Sequence, residues 1–469
     1  MNLRSLAKSF PYPIQQIIRH IYGAVPTSIR LGKTFWEMYN FLQESQWWSK
    51  EKLEDYQMQQ LKKLLEHSYE NVLYYRRLFD EYGLKISHIQ SKDDLKQIPY
   101  LTKDIFRANV EDILAKNFNL KYMQHAHTSG TTGKPLQFYS DGHCNQKELA
   151  SICHQWARVG YIPGEPLVQL RGAIITNGNP TQYDPMSKVL RLSPKISDKE
   201  TVVYYIESMK RFGSRFLHGY PSAIASFAHA IKNFGLTVPF TLQSVLFASE
   251  TVYSWEREIT EEVFNSRIFS HYGNAERVVL AAECENSDLY HCIPQYGITE
   301  INSETNEIVA TGFLNYVNPF IRYCTTDVAF LEEHNSCSHC GRQYFPVLKR
   351  IEGRLEDFIV SPDNTLIAPA VITHPFKDLK TIKETQIIQD SFNHLILRLV
   401  VFKNVDRKKV DDEVFLLCDS LKQIIGNIDI ETEFVTEIER NKSGKFRWII
   451  SDVSKGLLEK GLYGKRGIL

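Results

Sequence analysis

His127-Thr128-Ser129-Gly130-Thr131-Thr132-Gly133-Lys134-Pro135 is the stretch on which the reading of this chain turns. Glycines let backbone N–H groups approach an anion closely, and successive N–H groups form an anion-binding nest. The hydroxyls of Ser129, Thr131 and Thr132 and the ammonium of Lys134 can then bond phosphate oxygens. This is not a Walker loop: Gly130 and Gly133 are too close together, and Pro135 stands where that loop needs Ser or Thr. Taken alone, the stretch also reads as a surface turn. The surrounding chain has to decide.

Downstream, residues 136–139 alternate briefly like a strand, which suggests that the loop sits in a hairpin. From about 145 to 350, helical stretches (145–159, 199–212, 222–234, 253–263) alternate with short apolar strands (167–170, 216–217, 244–247, 267–270). That alternation predicts an α/β domain with a largely parallel sheet flanked by helices. Ligands bind beyond the carboxyl ends of such strands. Ser249-Glu250-Thr251 and Tyr272-Gly273-Asn274-Ala275-Glu276 fall there. Upstream, Leu53, Tyr56, Leu61, Leu64, Leu65 and Tyr69 keep helical spacing. Residues 1–50 are aromatic and mildly basic. Within them, 13–41 suit one or two short amphipathic helices, with Arg19, Arg30 and Lys33 beside Ile17, Ile18, Ile21, Phe35 and Trp36. A helical extension packed on the main body is preferred to a peripheral membrane contact, because the apolar residues are not cleanly segregated.

Bulk properties narrow the class. A length of 469 residues implies more than one domain. Lys+Arg and Asp+Glu both number 55, so no net field favours nucleic acid. No secretory leader and no membrane-length apolar run are evident, which makes the cytoplasm the expected address. Eight cysteines are too sparse for a disulfide scaffold. Cys337-x-x-Cys340-Gly341 is a turn that puts two thiolates on one ion, and Cys284 with His291 would complete a tetrahedron. Cys292 and His339 are rival ligands. Four protein ligands would make the zinc structural, pinning the segment after Glu276 to the loop before residue 353. The alternative is a set of reduced, unligated cysteines.

Five motifs occur in order: the glycine- and hydroxyl-rich loop, Tyr272-Gly-x-x-Glu276, Tyr323-Cys324-Thr325-Thr326-Asp327, Gly353-Arg354-Leu355-Glu356-Asp357, and Ser443-Gly444-Lys445-Phe446-Arg447. In order and spacing they resemble the motifs of adenylate-forming enzymes, from about residue 50 to the end. Within that superfamily the chain looks most like the phenylacetate–CoA ligase family. Trp47, Tyr56-Gln57, Tyr74-Tyr75-Arg76 and His218-Gly219-Tyr220-Pro221-Ser222 resemble its CapK-type branch, often linked to capsular polysaccharide synthesis.

The resemblance implies a set of roles. Ser129, Thr131, Thr132 and Lys134 would hold the β,γ-phosphates of ATP. Glu276 would help coordinate magnesium. Tyr272 would stack on adenine, the Ser249-Glu250 backbone would border it, and Asp327 would accept hydrogen bonds from the ribose. Arg354 is a further nucleotide-binding position. Lys445 would swing in on a small C-terminal domain and stabilise charge during adenylation, with Lys442 its rival inside the motif. Glu356 would be the hinge, where the family usually has Asp or Lys. Ser361-Pro362-Asp363-Asn364-Thr365 replaces a glycine usually found after the hinge, so thiolation by coenzyme A is the less secure half-reaction. Some phenylacetate–CoA ligase-like chains carry a similar cysteine set.

The organisation expected is therefore a helical extension over 1–50, a large domain over 51–352 and a small mobile domain over 353–469. Strands near 385–389, 395–402 and 431–435 and a helix over 408–425 give the last an α+β character. The expected activity is ATP-dependent activation of a small-molecule carboxylate as an acyl-adenylate, then transfer to an acceptor, with coenzyme A first in line. An amide or ester ligase acting on a sugar or glycolipid, or an inactive nucleotide-binding scaffold of a polysaccharide assembly complex, are the alternatives. The acyl pocket is expected near Arg171-Gly172, His218-Gly219-Tyr220-Pro221 and His271, with Arg171 meeting either a substrate carboxylate or a surface acid.

Overall fold

The computed structural model describes residues 12–127, 136–171, 179–194, 196, 198–332, 337–363, 365–373, 375–376, 379–402, 405–440 and 446–460. Its centre is the stretch of alternating elements. Five strands pair in parallel in the order Val189–Leu192, Leu167–Leu170, Phe216–Gly219, Ser244–Ala248, Ile268–Gly273. Their side chains alternate between two cores, as the pleat requires. Val168, Leu170, Leu217, Val245, Phe247 and Ile268 face one side. There they meet the helices Lys199–Phe212, Pro221–Asn233 and Ser254–Phe264. Leu167, Phe216, Leu246 and Phe269 face the other. That side is covered by Lys33–Ser45, through Phe35, Met38 and Leu42, and by Gly142–Trp156. The expected α/β fold, a parallel core flanked by helices, is thus found.

Antiparallel strands extend this core. Thr181–Asp184 closes one edge. On the other side come Leu280–Cys284, Ser287–Cys292, Val347–Arg354, Tyr323–Leu331, Glu307–Gly312 and Gly297–Ile301, giving one twelve-stranded sheet. Gly219 is required where the strand Phe216–Gly219 passes its neighbour, since a Cβ there would lie 2.0 Å from the Leu170 carbonyl oxygen. The strands Gln124–His127 and Gln137–Ser140 pair antiparallel, His127 opposite Gln137, as a hairpin flanking the loop requires.

The N-terminal helix Lys33–Ser45 is part of the core. The earlier helix Tyr12–Ala24, separated from it by the short helix Thr27–Arg30, leaves Ile17 and Ile21 exposed, while Arg19 pairs with Asp184 at 3.5 Å. Among the described residues no helix is long and apolar enough to cross a membrane.

Toward the C-terminus a four-stranded sheet runs in the order Asp429–Phe434, His394–Val401, Ile382–Ser391, Ile449–Ser451. It has its own core, in which Leu417, Leu421 and Ile425 of the helix Arg407–Ile425 pack on Ile387, Leu395, Leu397 and Leu399. Asp406 caps that helix by accepting from the Lys408 amide at 3.0 Å. An indole contact and a backbone hydrogen bond tie this unit to the larger sheet. Trp448 packs edge-on against Trp255 at 5.2 Å between ring centres, and the Phe446 amide donates to the Glu250 carboxylate at 3.1 Å.

Candidate active site and metal centre

A cavity of about 910 Å³ opens where the parallel strands end. Its walls include Ser249, Glu250, Tyr272, Glu276, Asp327 and Arg354, which come from four separate stretches of chain. Phe446, Arg447 and Trp448 close it from the C-terminal side. Ser249 and Thr326 carry φ of 73° and 69°, in the left-handed region that non-glycine residues avoid. Gly353 also lines the cavity at φ +99°, and a Cβ there would meet the Thr251 hydroxyl at 2.8 Å. Strained backbone gathered around one cavity is the usual mark of a functional site.

The polar contacts within the cavity are specific. Tyr272 donates its hydroxyl hydrogen to Asp327 Oδ2 at 2.6 Å, and Arg354 Nε lies 3.6 Å from Asp327 Oδ1. Tyr323 donates to Glu276 Oε1 at 2.6 Å, and Glu276 is buried. Burial first, and the adjoining carboxylates second, raise both tyrosines well above the ordinary phenol value. Each therefore keeps its proton and acts as a donor. Glu250 accepts from the Ser222 hydroxyl at 2.7 Å and from the Phe446 amide at 3.1 Å. The carboxylate beside the strand end thus holds the residue that follows Lys445.

Sequence reasoning assigned no role to two side chains that shape this wall. Glu307 accepts from the Thr326 amide at 2.7 Å, and Lys103 donates to the Thr326 hydroxyl at 2.7 Å. Together they hold the turn that presents Asp327. Burial pushes Glu307 up to about 7. Neither sits in a local pattern that would set it apart, since each reaches the turn from a distant segment.

Several expected site residues lie outside the described residues: Ser129, Thr131, Thr132 and Lys134 in the loop, and Lys442 and Lys445 in the C-terminal turn. Glu356 falls in the short helical turn Leu355–Asp357 just after Arg354. The neighbourhood expected for the acyl group is described in part. Arg171, His218 and His271 stand at the ends of three of the parallel strands, with Ser244–Ala248 between those of His218 and His271, and Gly172 lies outside the described residues.

A second cluster lies under the far strands. Cys284 ends Leu280–Cys284, His291 sits in Ser287–Cys292, and Cys337 and Cys340 lie in the loop before Val347–Arg354. Their donor atoms all fall within 4.8 Å of one another. Cys284 Sγ and Cys337 Sγ are 3.8 Å apart, and Cys340 Sγ is 3.5 Å from His291 Nε2. A tetrahedron with zinc–sulfur bonds of about 2.3 Å and zinc–nitrogen bonds of about 2.0–2.1 Å has edges of about 3.8 and about 3.5 Å. The donor set therefore fits a zinc ion. It leaves no open position, and it includes neither Cys292 nor His339. Three thiolates on one divalent ion leave a net negative charge. Arg158 Nε and one of its terminal nitrogens are buried without a partner among the described residues, and the fields of Cys340 and Cys284 act on that guanidinium. Arg342, bonded to Glu285 at 2.7 and 2.8 Å, adds further positive charge nearby.

Comparison with known proteins agrees with the motifs. Residues 359–452 match the family described as the CapK C-terminal domain. The chain is 24% identical to Protein CapK of Staphylococcus aureus over 452 residues, covering 94% of this chain and 98% of that one. It is 24% identical over 333 residues to the phenylacetate-coenzyme A ligase of Thermus thermophilus, covering 66% of this chain and 72% of that one. Among solved structures, 2-hydroxyisobutyryl-CoA ligase in its postadenylation state with 2-HIB-AMP superposes with a TM-score of 0.67 at 17% identity, over 86% of this chain and 91% of that one. The fold is shared with that ligase. The resemblance to adenylate-forming enzymes, to phenylacetate–CoA ligases and to CapK is borne out.

Proposed function

We propose that this chain is an ATP-dependent ligase that activates a carboxylate as an acyl-adenylate and then transfers the acyl group, with coenzyme A as the acceptor. One observation carries the reading: Ser249-Glu250, Tyr272, Glu276, Asp327 and Arg354, far apart in sequence, line a single cavity whose remaining wall begins at Phe446. The similarity to phenylacetate-coenzyme A ligase and the fold shared with 2-hydroxyisobutyryl-CoA ligase support both the chemistry and the acceptor.

In the proposed reaction a carboxylate oxygen attacks the α-phosphorus of ATP, the bond to the bridging oxygen breaks, and pyrophosphate leaves with that electron pair. Two anions must meet, so positioning and charge neutralisation are what the protein has to supply. Asp327, oriented by the Tyr272 hydroxyl, would receive the ribose hydroxyls. The Tyr272 ring and the Ser249-Glu250 backbone would border adenine. Arg354 and Asp327 would share the nucleotide edge. Ser129, Thr131, Thr132 and Lys134 would hold the departing phosphates. Glu276, fixed by Tyr323, would be the carboxylate ligand for magnesium, which would offset phosphate charge when bound. Lys445 would reach the reacting phosphate. The division at 353, with Glu356 as pivot, belongs to this proposal, as does a structural zinc on Cys284, His291, Cys337 and Cys340. The cytoplasm is the proposed location.

Carboxylate-dependent ATP–pyrophosphate exchange tests the reading. Exchange with one class of acid, lost in Lys445→Ala while ATP binding survives, is the expected result. AMP release dependent on coenzyme A would fix the acceptor. The near full-length similarity to CapK favours a second acceptor, an amine or hydroxyl of a sugar or glycolipid. AMP release that needs such an acceptor, and ignores coenzyme A, would establish it. A folded sample that binds ATP but never exchanges would leave the scaffold.

A further inference from the structure

Four successive parallel strands each deliver a polar residue at or just after the carboxyl end, and two of these residues, Ser249 and His271, line the cavity. Arg171 follows Leu167–Leu170, His218 lies in Phe216–Gly219, Ser249 follows Ser244–Ala248, and His271 lies in Ile268–Gly273. By strand parity Arg171, His218 and His271 share the face of Leu167, Phe216 and Phe269. The contacts agree. Trp156 packs on both histidines, at 4.9 and 5.7 Å between ring centres, and the two imidazoles stack at 6.3 Å.

Hydrogen-bond geometry fixes both tautomers. His218 Nδ1 lies 2.9 Å from the Leu246 carbonyl oxygen, which can only accept, so that nitrogen carries the proton. The Trp156 indole N–H donates to His271 Nδ1 at 3.3 Å, so the proton of His271 is on Nε2. Burial first and Arg171 second keep both rings neutral, with His271 pushed down to about 3. The permanent charge in the group is therefore that of Arg171.

Arg171 has no acid. Its guanidinium donates to the Ser249 hydroxyl at 2.9 Å and lies 5.0 Å over the Tyr220 ring. Among the described residues no carboxylate pairs with it, and the following segment 172–178 contains none. Glu250, the acid nearest in sequence to Ser249, is turned onto Ser222 and the Phe446 amide. The guanidinium is half-buried among neutral rings, one hydrogen bond from the cavity wall at Ser249, and its fork of donors suits a carboxylate. Ser249 Oγ, which accepts from Arg171, can pass its own hydrogen onward, and His271 offers Nε2–H, so the surroundings supply donors rather than competing acceptors.

We propose that Arg171 receives a second anionic group on the substrate, so that the acid activated here is a dicarboxylate or a similarly charged acid and not a plain aryl or fatty acid. The inference rests on the adenylation reading and deepens it. The same exchange assay, run on matched pairs, tests it: benzoate against terephthalate and pentanoate against glutarate, in the full-length protein and in Arg171→Gln. The expected result is a preference of at least tenfold for the doubly charged member of one pair, falling at least tenfold in the variant. Wild-type preference for the singly charged members would overturn the proposal. So would an equal loss on both members in Arg171→Gln, because Arg171 would then serve the reacting carboxylate or the nucleotide.

A binding measurement separates this claim from its premise. Thermal-shift titrations with terephthalate and benzoate need no turnover. Selective stabilisation by terephthalate, lost in Arg171→Gln, would sustain the receptor even if no acid supported exchange. Equal or absent stabilisation by the two acids would refute it even if exchange were found.

Discussion

Removing the metal from the Cys284–His291–Cys337–Cys340 cluster should loosen the far half of the sheet by an amount that chain statistics allow to be worked out. The cluster joins two segments whose nearest ligands, His291 and Cys337, stand 46 positions apart (337 − 291). Cross-linking a loop of that size removes about 13 cal/mol/K from the unfolded ensemble, or about 4 kcal/mol at 25 °C. A chain of this length unfolds with an entropy of about 1 kcal/mol/K, so the melting temperature should drop by about 4 °C. The protein should be purified without added metal, its zinc counted by elemental analysis, and its melting followed before and after a strong chelator. One zinc per chain is expected, with a fall of several degrees on chelation. Cys337→Ser/Cys340→Ser should start at the lower temperature and ignore the chelator. Less than a tenth of an equivalent of zinc, together with identical melting in all samples, would refute the reasoning and leave four unligated side chains.

Three further outcomes follow from the site. Asp327→Ala should raise the KM for ATP ten- to a hundredfold, the size of about 1.5–3 kcal/mol for hydrogen bonds to a charged group; an unchanged KM would remove Asp327 from the nucleotide. Glu307 holds its proton more tightly when folded, because burial raises it to about 7, so its contribution favours the folded state below its ordinary value and is lost as pH rises through about 7. Glu307→Gln should accordingly flatten the fall in melting temperature between pH 5 and 8, by at most about 3 kcal/mol, and an unaltered pH profile would count against it. Gly353→Ala forces a Cβ against Thr251 at a positive φ and should cost about 1–2 kcal/mol, read as a lower melting temperature; no change would mean that the backbone there relaxes freely.

Four of the five parallel strands were legible as short apolar runs, two of which, Phe216–Gly219 and Ser244–Ala248, lead into helices of clear period; the fifth, Val189–Leu192, follows the strand Thr181–Asp184 and was not read. Ser244–Ala248 and the helix Lys199–Phe212 lie almost where the pattern puts them. The antiparallel half was not. Tyr323–Leu331 and Val347–Arg354 carry charged and polar residues along their length, and their pairing is interrupted by register shifts. Alternation is therefore too broken to register. The C-terminal unit was easier, since Ile387, Leu395, Leu397 and Leu399 bury one face of regular strands. In the site, the motifs marked Tyr272, Glu276 and Asp327, but not that one tyrosine would be spent on each acid: Tyr272 on Asp327 and Tyr323 on Glu276. Arg171 shows the limit most plainly. Its sequence context left a substrate carboxylate and a surface acid both open, and what bears on the choice is that the folded side chain bonds Ser249 and pairs with no acid among the described residues.

The Glu250 carboxylate is bonded at once to Ser222 of the large sheet's helical layer and to the Phe446 amide beyond the C-terminal turn. A rotation about Glu356 that carried Phe446 away would break that bond along with the Trp448–Trp255 contact, while Arg447 and Asp357 would move together. Two contacts broken by the same rotation would be lost together, as in a latch. A ligand lying against Ser249 and Glu250 would favour one setting by whatever it gains there. By reciprocity, the latch would change the affinity for that ligand by the same factor. A mutation at Ser222, on the outer side of that carboxylate, would then be felt in nucleotide affinity without touching the nucleotide.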